Sequence, residues 1–224
     1  MDYPDKLILH GEAGTYLESH PYLFRCRLGG DCFLEIQKEM AMLNDFCVVI
    51  RDATEQHSHT QHIREHEDGA DAWDDQFARE MMGYSAREVG KLFSPASSMV
   101  LLYLFLIKSL RALNISYNPE NFGHWRSNSK SPEIAQLIER LEKNFGISFG
   151  VLDDEKMKKI LFQTVRKIRN NFTHGEWGEV EKDLQTVSQV MAFGLVSELL
   201  SRIEIKFIEH GVESASERDM EILS

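Results

Sequence analysis

From residue 99 to residue 107 the chain reads MVLLYLFLI, nine consecutive side chains with no charge among them. A run of this kind does not alternate like a half-buried strand, and it is far short of the roughly twenty residues needed to cross a bilayer. It predicts a helix that other parts of the chain must cover on most sides, the central member of a helical bundle and not a membrane anchor. Ser94 followed by Pro95 gives a start signal, an N-cap with proline at the first helical position. Lys108 and Arg111 close the apolar run.

The covering elements are legible as stripes at intervals of three and four. Asp31 is placed to cap a helix carrying Phe33, Ile36, Met40, Leu43, Phe46, Cys47 and Ile50, expected to reach about Glu55. Trp73, Phe77, Met81 and Val89 predict a shorter helix over residues 70–91. Pro132 opens another with Ile134, Leu137, Ile138 and Leu141, stopping near residues 144–146. Asp153 or Asp154 caps the next, and Leu184, Val187, Val190, Met191, Leu195, Leu199, Ile203 and Phe207 predict one long last helix ending before Gly211. No pair of strands is convincing, so the expected fold is all-α, an antiparallel bundle of about six helices. Residues 1–29 are interrupted by Pro4, Gly11, Gly14, Pro21 and Gly29-Gly30, and are expected to form an irregular segment that wraps the domain or meets a partner. Residues 30–210 then form a single helical domain, with 211–224 a frayed tail.

Charge and cysteine usage narrow the class. The formal net charge is -11 over 224 residues, which disfavours a broad basic surface for nucleic acid. Cys26, Cys32 and Cys47 have no metal-binding spacing, and residues 1–10 contain Asp2 and Asp5 with no long apolar run. Reduced thiols and a cytoplasmic location are therefore expected. No glycine-rich phosphate loop and no Gly-x-Ser-x-Gly elbow occurs. His57, His59, His62 and His66 have spacings that a metal could use, but Ile63 is the one apolar residue between His57 and Gly69, so nothing fixes their rotamers. A solvated helix extension or loop is the expectation there, with no metal and no other cofactor. Trp125, beside Arg126, can stack on a base or cover an edge of the core.

The chemistry is concentrated in residues 155–177, EKMKKILFQTVRKIRNNFTHGEW. Met157, Ile160, Leu161, Thr164, Val165, Ile168 and Phe172 draw an inner stripe. Around it lie Lys156, Lys158, Lys159, Arg166, Lys167 and Arg169 against the single acid Glu155, a local reversal of the chain's sign that suits an anionic partner. At the helix end, Arg169 and His174 are five apart and about 140° different in direction, while Asn170 and His174 share a face. Asn171 and Gly175 can end the helix, and a turn near Thr173 would swing the imidazole toward the guanidinium. An arginine fork and a titratable imidazole together suit a phosphodiester. On spacing alone the plainer alternative is a helix-end Arg and His favoured by the dipole, with His174 capping carbonyls.

Arg169-Asn170, three further residues and His174 resemble the signature of HEPN domains, the all-helical domains named after higher eukaryote and prokaryote nucleotide-binding proteins. The likeness covers roughly residues 94–210 and is strong over Arg169 to His174. It implies a metal-independent endoribonuclease acting as a homodimer, with Arg169, Asn170 and His174 as catalytic residues. It also implies a toxin or defence component whose partners include RNA or a nucleotide and a protein antitoxin or regulator. Lys159, Arg166, Lys167 and Thr173 are the accompanying RNA-binding candidates on the same helix. Ser97, Ser98, Lys108 and Ser109 are the groups expected to approach the motif from the central helix. That helix carries no Asp or Glu between Phe93 and Pro119, a departure from members that use a supporting acid there. The alternative reading is a non-catalytic helical module that binds a nucleotide, RNA or another protein.

Overall fold

The computed structural model describes residues 22–27, 31–68, 86–118 and 131–212, and the side chains of 57–68 and 86–89 lie outside that description. Among the described residues six helices follow one another: α1 (Asp31–Asp68), α2 (Ala86–Tyr117), α3 (Glu133–Phe145), α4 (residues 155–174), α5 (Trp177–Leu184) and α6 (Gln189–Glu209). Among the described residues there is no strand, and the chain is an all-α bundle.

The apolar run on α2 is its centre. Met99, Leu102, Tyr103, Phe105, Leu106, Leu110 and Leu113 are buried, and each of the other five helices packs against α2. The stretch Gly90–Tyr117 has the length and composition of a membrane span, but 56% of its most apolar window is buried by the rest of the chain. α2 does not begin at Ser94 as the sequence predicts. It begins at Ala86 and runs through Pro95, which stands inside the helix. Proline removes one donor from the backbone ladder, but Leu92, Ala96 and Met99 are buried around it and hold the helix together. Ser94 is correspondingly no N-cap; its carbonyl accepts from Ser98 Oγ at 3.0 Å.

Against α2, α1 runs antiparallel, since Glu39 pairs with Lys108 while the Cys47 thiol bonds Ser98 further back. α4 is antiparallel to α2 as well, with Phe172 on Phe93. α3 instead runs in the same direction as α2, its contacts advancing together along both helices. Arg111 pairs with Glu133, and the buried Asn114 amide donates to the carbonyls of Leu110 at 2.8 Å and Leu137 at 3.2 Å. At the C-terminal end of α2 the Phe207 ring joins four elements, with centroids 4.7 Å from Tyr117, 5.2 Å from Phe145, 5.8 Å from Phe149 and 6.2 Å from Phe33. Full burial of such a ring contributes about 1.5–3 kcal/mol.

Other expectations are corrected by local chemistry. α1 continues past Glu55 to Asp68, so the histidine-rich stretch is helical in its backbone, while the side chains of His57, His59, His62 and His66 lie outside the described residues, as do Trp125 and residues 69–85. The single last helix is two helices. Ser188 Oγ accepts from the Met191 amide at 3.1 Å and starts α6 afresh, leaving Leu184 on α5 and Val187 in the link. Part of the N-terminal segment belongs to the core: Tyr22, Leu23 and Phe24 are buried, the Cys26 amide donates to Gln37 Oε1 at 2.7 Å, and the Arg27 amide donates to Glu204 Oε1 at 2.5 Å.

α4 starts where Asp154 accepts from the amides of Lys156 at 3.0 Å and Met157 at 3.1 Å, while Arg202 of α6 holds its other oxygen at 2.9 Å. These contacts, the Met157 amide foremost, lower the Asp154 pKa from its ordinary value. A lowered carboxyl pKa adds stability that is present above the unfolded value, about pH 4, and is lost as pH falls through the folded one. Replacing Asp154 with Ala should cost about 1 kcal/mol at neutral pH. Chemical denaturation of both proteins across a pH series checks this, with the gap expected to narrow below the ordinary carboxylate range.

Candidate active site at the end of α4

α4 is not uniform. After an initial turn, Glu155–Met157, it widens into a π-helix over Lys158–Val165 and returns to α geometry over Arg166–His174. The i→i+5 spacing of a π segment shifts which side chains point inward. Phe162, five after Met157, is buried, whereas Ile160 and Thr164 of the expected stripe are half-buried. Thr164 Oγ1 donates to the Lys159 carbonyl at 2.9 Å, also five back.

Beyond Arg166 the helix is regular, so direction follows from 100° per residue. Ile168 is buried and Phe172 half-buried against Phe93 and Trp177. On the opposite side Arg169, Thr173, Arg166, Asn170 and His174 occupy one stripe of about 140°, in that angular order. The expected swing near Thr173 does not occur. The helix stays α through His174, and the turn comes one residue later at Gly175, with φ 75° in the left-handed region. Arg169 and His174 are therefore separated by about 7.5 Å along the axis, with Asn170 and Thr173 between them. Among the described residues they share no hydrogen bond.

Each member of the stripe has a defined state. Arg169 is half-buried, and its Nη1 donates to Asn170 Oδ1 at 2.9 Å, which leaves further guanidinium donors for a ligand. Thr173 Oγ1 donates to the Asn170 carbonyl at 2.8 Å. His174 is exposed. It does not cap the helix, because the backbone does so: the Gly175 amide donates to the carbonyls of Phe172 and Asn171, and the Glu176 amide reaches Asn171 at 2.9 Å. Lys159 is exposed and Arg166 half-buried, and among the described residues neither forms an ion pair. Lys167 differs. Its ammonium lies 3.1 Å from Asp183 and 3.4 Å from Glu179 on α5, and the Asp183 bond raises its pKa most. Asn171 Nδ2 donates to the same Asp183 at 3.4 Å. Lys167 thus ties α4 to α5 and its charge is largely answered.

What α2 presents to this site is not the set of polar groups expected from the sequence. Lys108 pairs with Glu39, Ser109 is buried beside α1, and Ser98 bonds the Ser94 carbonyl. Phe93 and Tyr103 face α4 instead. The buried Tyr103 phenol is pushed up by burial and drawn down by the positive charge of Arg166 and Arg169, with Glu133 acting against them. A tyrosine within an otherwise hydrocarbon run was the available signal for this role. Among the described residues Glu133, at the start of α3, is an acid whose charge reaches Tyr103.

No family model matches the chain, and neither the curated proteins nor the solved structures include a match to it.

The closing turn gives a direct test. A methyl group at Gly175 would meet the Trp177 ring at 3.8 Å, an ordinary contact, so only the backbone conformation resists it. Gly175→Ala should cost about 1 kcal/mol in equilibrium denaturation, and Gly175→Asn less, because asparagine tolerates the left-handed region.

Proposed function

We propose that the chain is a metal-independent endoribonuclease of HEPN type that cuts RNA by transesterification. In this reading the ribose 2′-oxygen attacks phosphorus and the bond to the 5′-oxygen breaks. The 2′-hydroxyl proton is taken up and a proton is delivered to the leaving oxygen, leaving a 2′,3′-cyclic phosphate and a 5′-hydroxyl. His174 handles a proton, Arg169 neutralises charge on the phosphoryl oxygens, and Asn170 orients the guanidinium it already accepts from. Lys159, Arg166 and Thr173 guide the backbone along the stripe. Base and acid are both needed and the stripe carries one imidazole, so a homodimer bringing two copies of His174 to one cleft completes the reaction.

One observation carries the reading. The helix end is capped by its own backbone, so His174 is released from the capping role that the plainer interpretation gives it, and it stands with a half-buried arginine on the solvent side of α4. A second reading, a helical module that binds a nucleotide, RNA or another protein without cutting, is favoured by the pairing of Lys167 with Glu179 and Asp183. That pairing shortens the basic stripe in a chain of net charge -11.

Cleavage of a mixed-sequence RNA in excess chelator, by wild type, Arg169→Ala and His174→Ala, decides between them. Each variant should lose about a hundredfold or more of the rate and keep its folding stability within about 0.5 kcal/mol. Unchanged cleavage in both variants would remove the site, and wild-type binding of RNA without cleavage would favour the binding module.

A further inference from the structure

Met42, Phe46 and Val49 recur at intervals of four and three on α1 and are 70%, 52% and 55% exposed. At 100° per residue they form one stripe on the side of α1 opposite its buried Phe33, Ile36, Met40 and Cys47. Ala53, also exposed, continues it. The other large exposed apolar side chains, Leu104, Ile115 and Ile208, stand singly along their helices. A contiguous apolar stripe in water marks a contact surface.

Its size narrows the occupant. With about 200 Å² for a whole large side chain, these three exposures give roughly 350 Å², under half of the about 800 Å² that each partner of a stable dimer contributes. A tethered segment needs less, because its association is intramolecular and a second body need not be immobilised.

The chain supplies such a segment beside the stripe. The Cys26 amide donates to Gln37 Oε1, and the Tyr22 hydroxyl donates to Asn44 Oδ1 at 3.3 Å. From residue 26 back to residue 22 the chain thus climbs α1 from Gln37 in the direction of Val49. Residues 1–21 lie outside the described residues and join the structure at Tyr22, level with Met42 and Phe46. They contain one run of three apolar side chains, Leu7-Ile8-Leu9, set between Lys6 and His10. Leu9 is thirteen residues from Tyr22, a reach of up to about 43 Å, whereas the stripe lies across a helix of about 10–12 Å diameter. At the border of the stripe Asp45 is exposed and has no ion pair among the described residues, which leaves its charge for Lys6.

We propose that Leu7-Ile8-Leu9 of the same chain dock on the stripe of Met42, Phe46 and Val49, with Lys6 beside Asp45. The N-terminal segment then straps α1 from outside, while Tyr22, Leu23 and Phe24 pack into the core on its inner side. This contact is independent of the chemistry on α4.

Photo-crosslinking of the full chain tests it, with Phe46→p-benzoylphenylalanine as the probe and peptide mass spectrometry as the readout. Phe46 is largely exposed, so the far-UV circular dichroism should not change. Irradiation should join residue 46 to the peptide holding Leu7-Ile8-Leu9 within one chain, with a yield that stays constant over a hundredfold range of protein concentration. The same labelled chain with L7S/I8S/L9S should lose at least about fivefold of that crosslink. Val49→p-benzoylphenylalanine is the independent probe, should the label at residue 46 disturb folding, and should capture the same peptide. Crosslinks between two chains that rise with concentration, capture of residues 69–85 instead, no crosslink to protein, or a yield indifferent to L7S/I8S/L9S would overturn the proposal.

Discussion

A helix that is apolar on nearly every side must be enclosed, and α2 imposes that condition on the whole chain. Its buried residues between Leu92 and Tyr117 can leave water only if helices stand around it, and all five others do. The same enclosure lets α2 run through Pro95, where an isolated helix would break. It also fixes the place of the chemistry. Phe172 and Ile168 of α4 are drawn inward, Phe172 onto Phe93, and this turns Arg169, Asn170 and His174 outward on the opposite side.

Much of this arrangement could be read from residues alone, because burial and helical spacing follow the same physics in both directions. The all-α class, the inner stripe of α3 with Gly146 ending it, and Asp154 as the cap of α4 all came from side-chain type and interval. Other features depend on tertiary surroundings that a stripe does not encode. Apolar periodicity runs on through Leu184 and Val187, and only the Ser188 cap shows that the helix has restarted. Pro95 reads as a start, and only its place inside a helix that begins at Ala86 shows otherwise. The π segment is invisible to a template built on intervals of three and four, so the stripe omits the buried Phe162, while Ile160, which it includes, packs half-buried against the core. Tyr22, Leu23 and Phe24 sit among glycines and prolines and read as loop, but they fill the core beside α1.

At the candidate site the sequence places the residues but not their commitments. Lys159, Arg166 and Lys167 look equivalent in a basic helix, and in the fold Lys167 is engaged by Asp183 and Glu179. Such exposed pairs add little stability, but they remove one cation from any path for phosphate. Tyr103 gains importance by the reverse route, a phenol in an apolar run that the bundle sets within the field of Arg166 and Arg169. The capping of α4 by Gly175 and Glu176 amides is a backbone effect with one visible token, the glycine. It is also what leaves His174 without structural duty.

The chemical identity of the ends left on cut RNA tests the central claim most directly, because transesterification through the ribose and hydrolysis by activated water leave different termini. Mass spectrometry of a defined oligoribonucleotide treated with the purified chain in excess chelator should find 2′,3′-cyclic phosphate and 5′-hydroxyl ends, and an oligodeoxyribonucleotide of the same sequence should stay intact. Ends with a 3′-hydroxyl and a 5′-phosphate, or equal cutting of the DNA, would contradict the account.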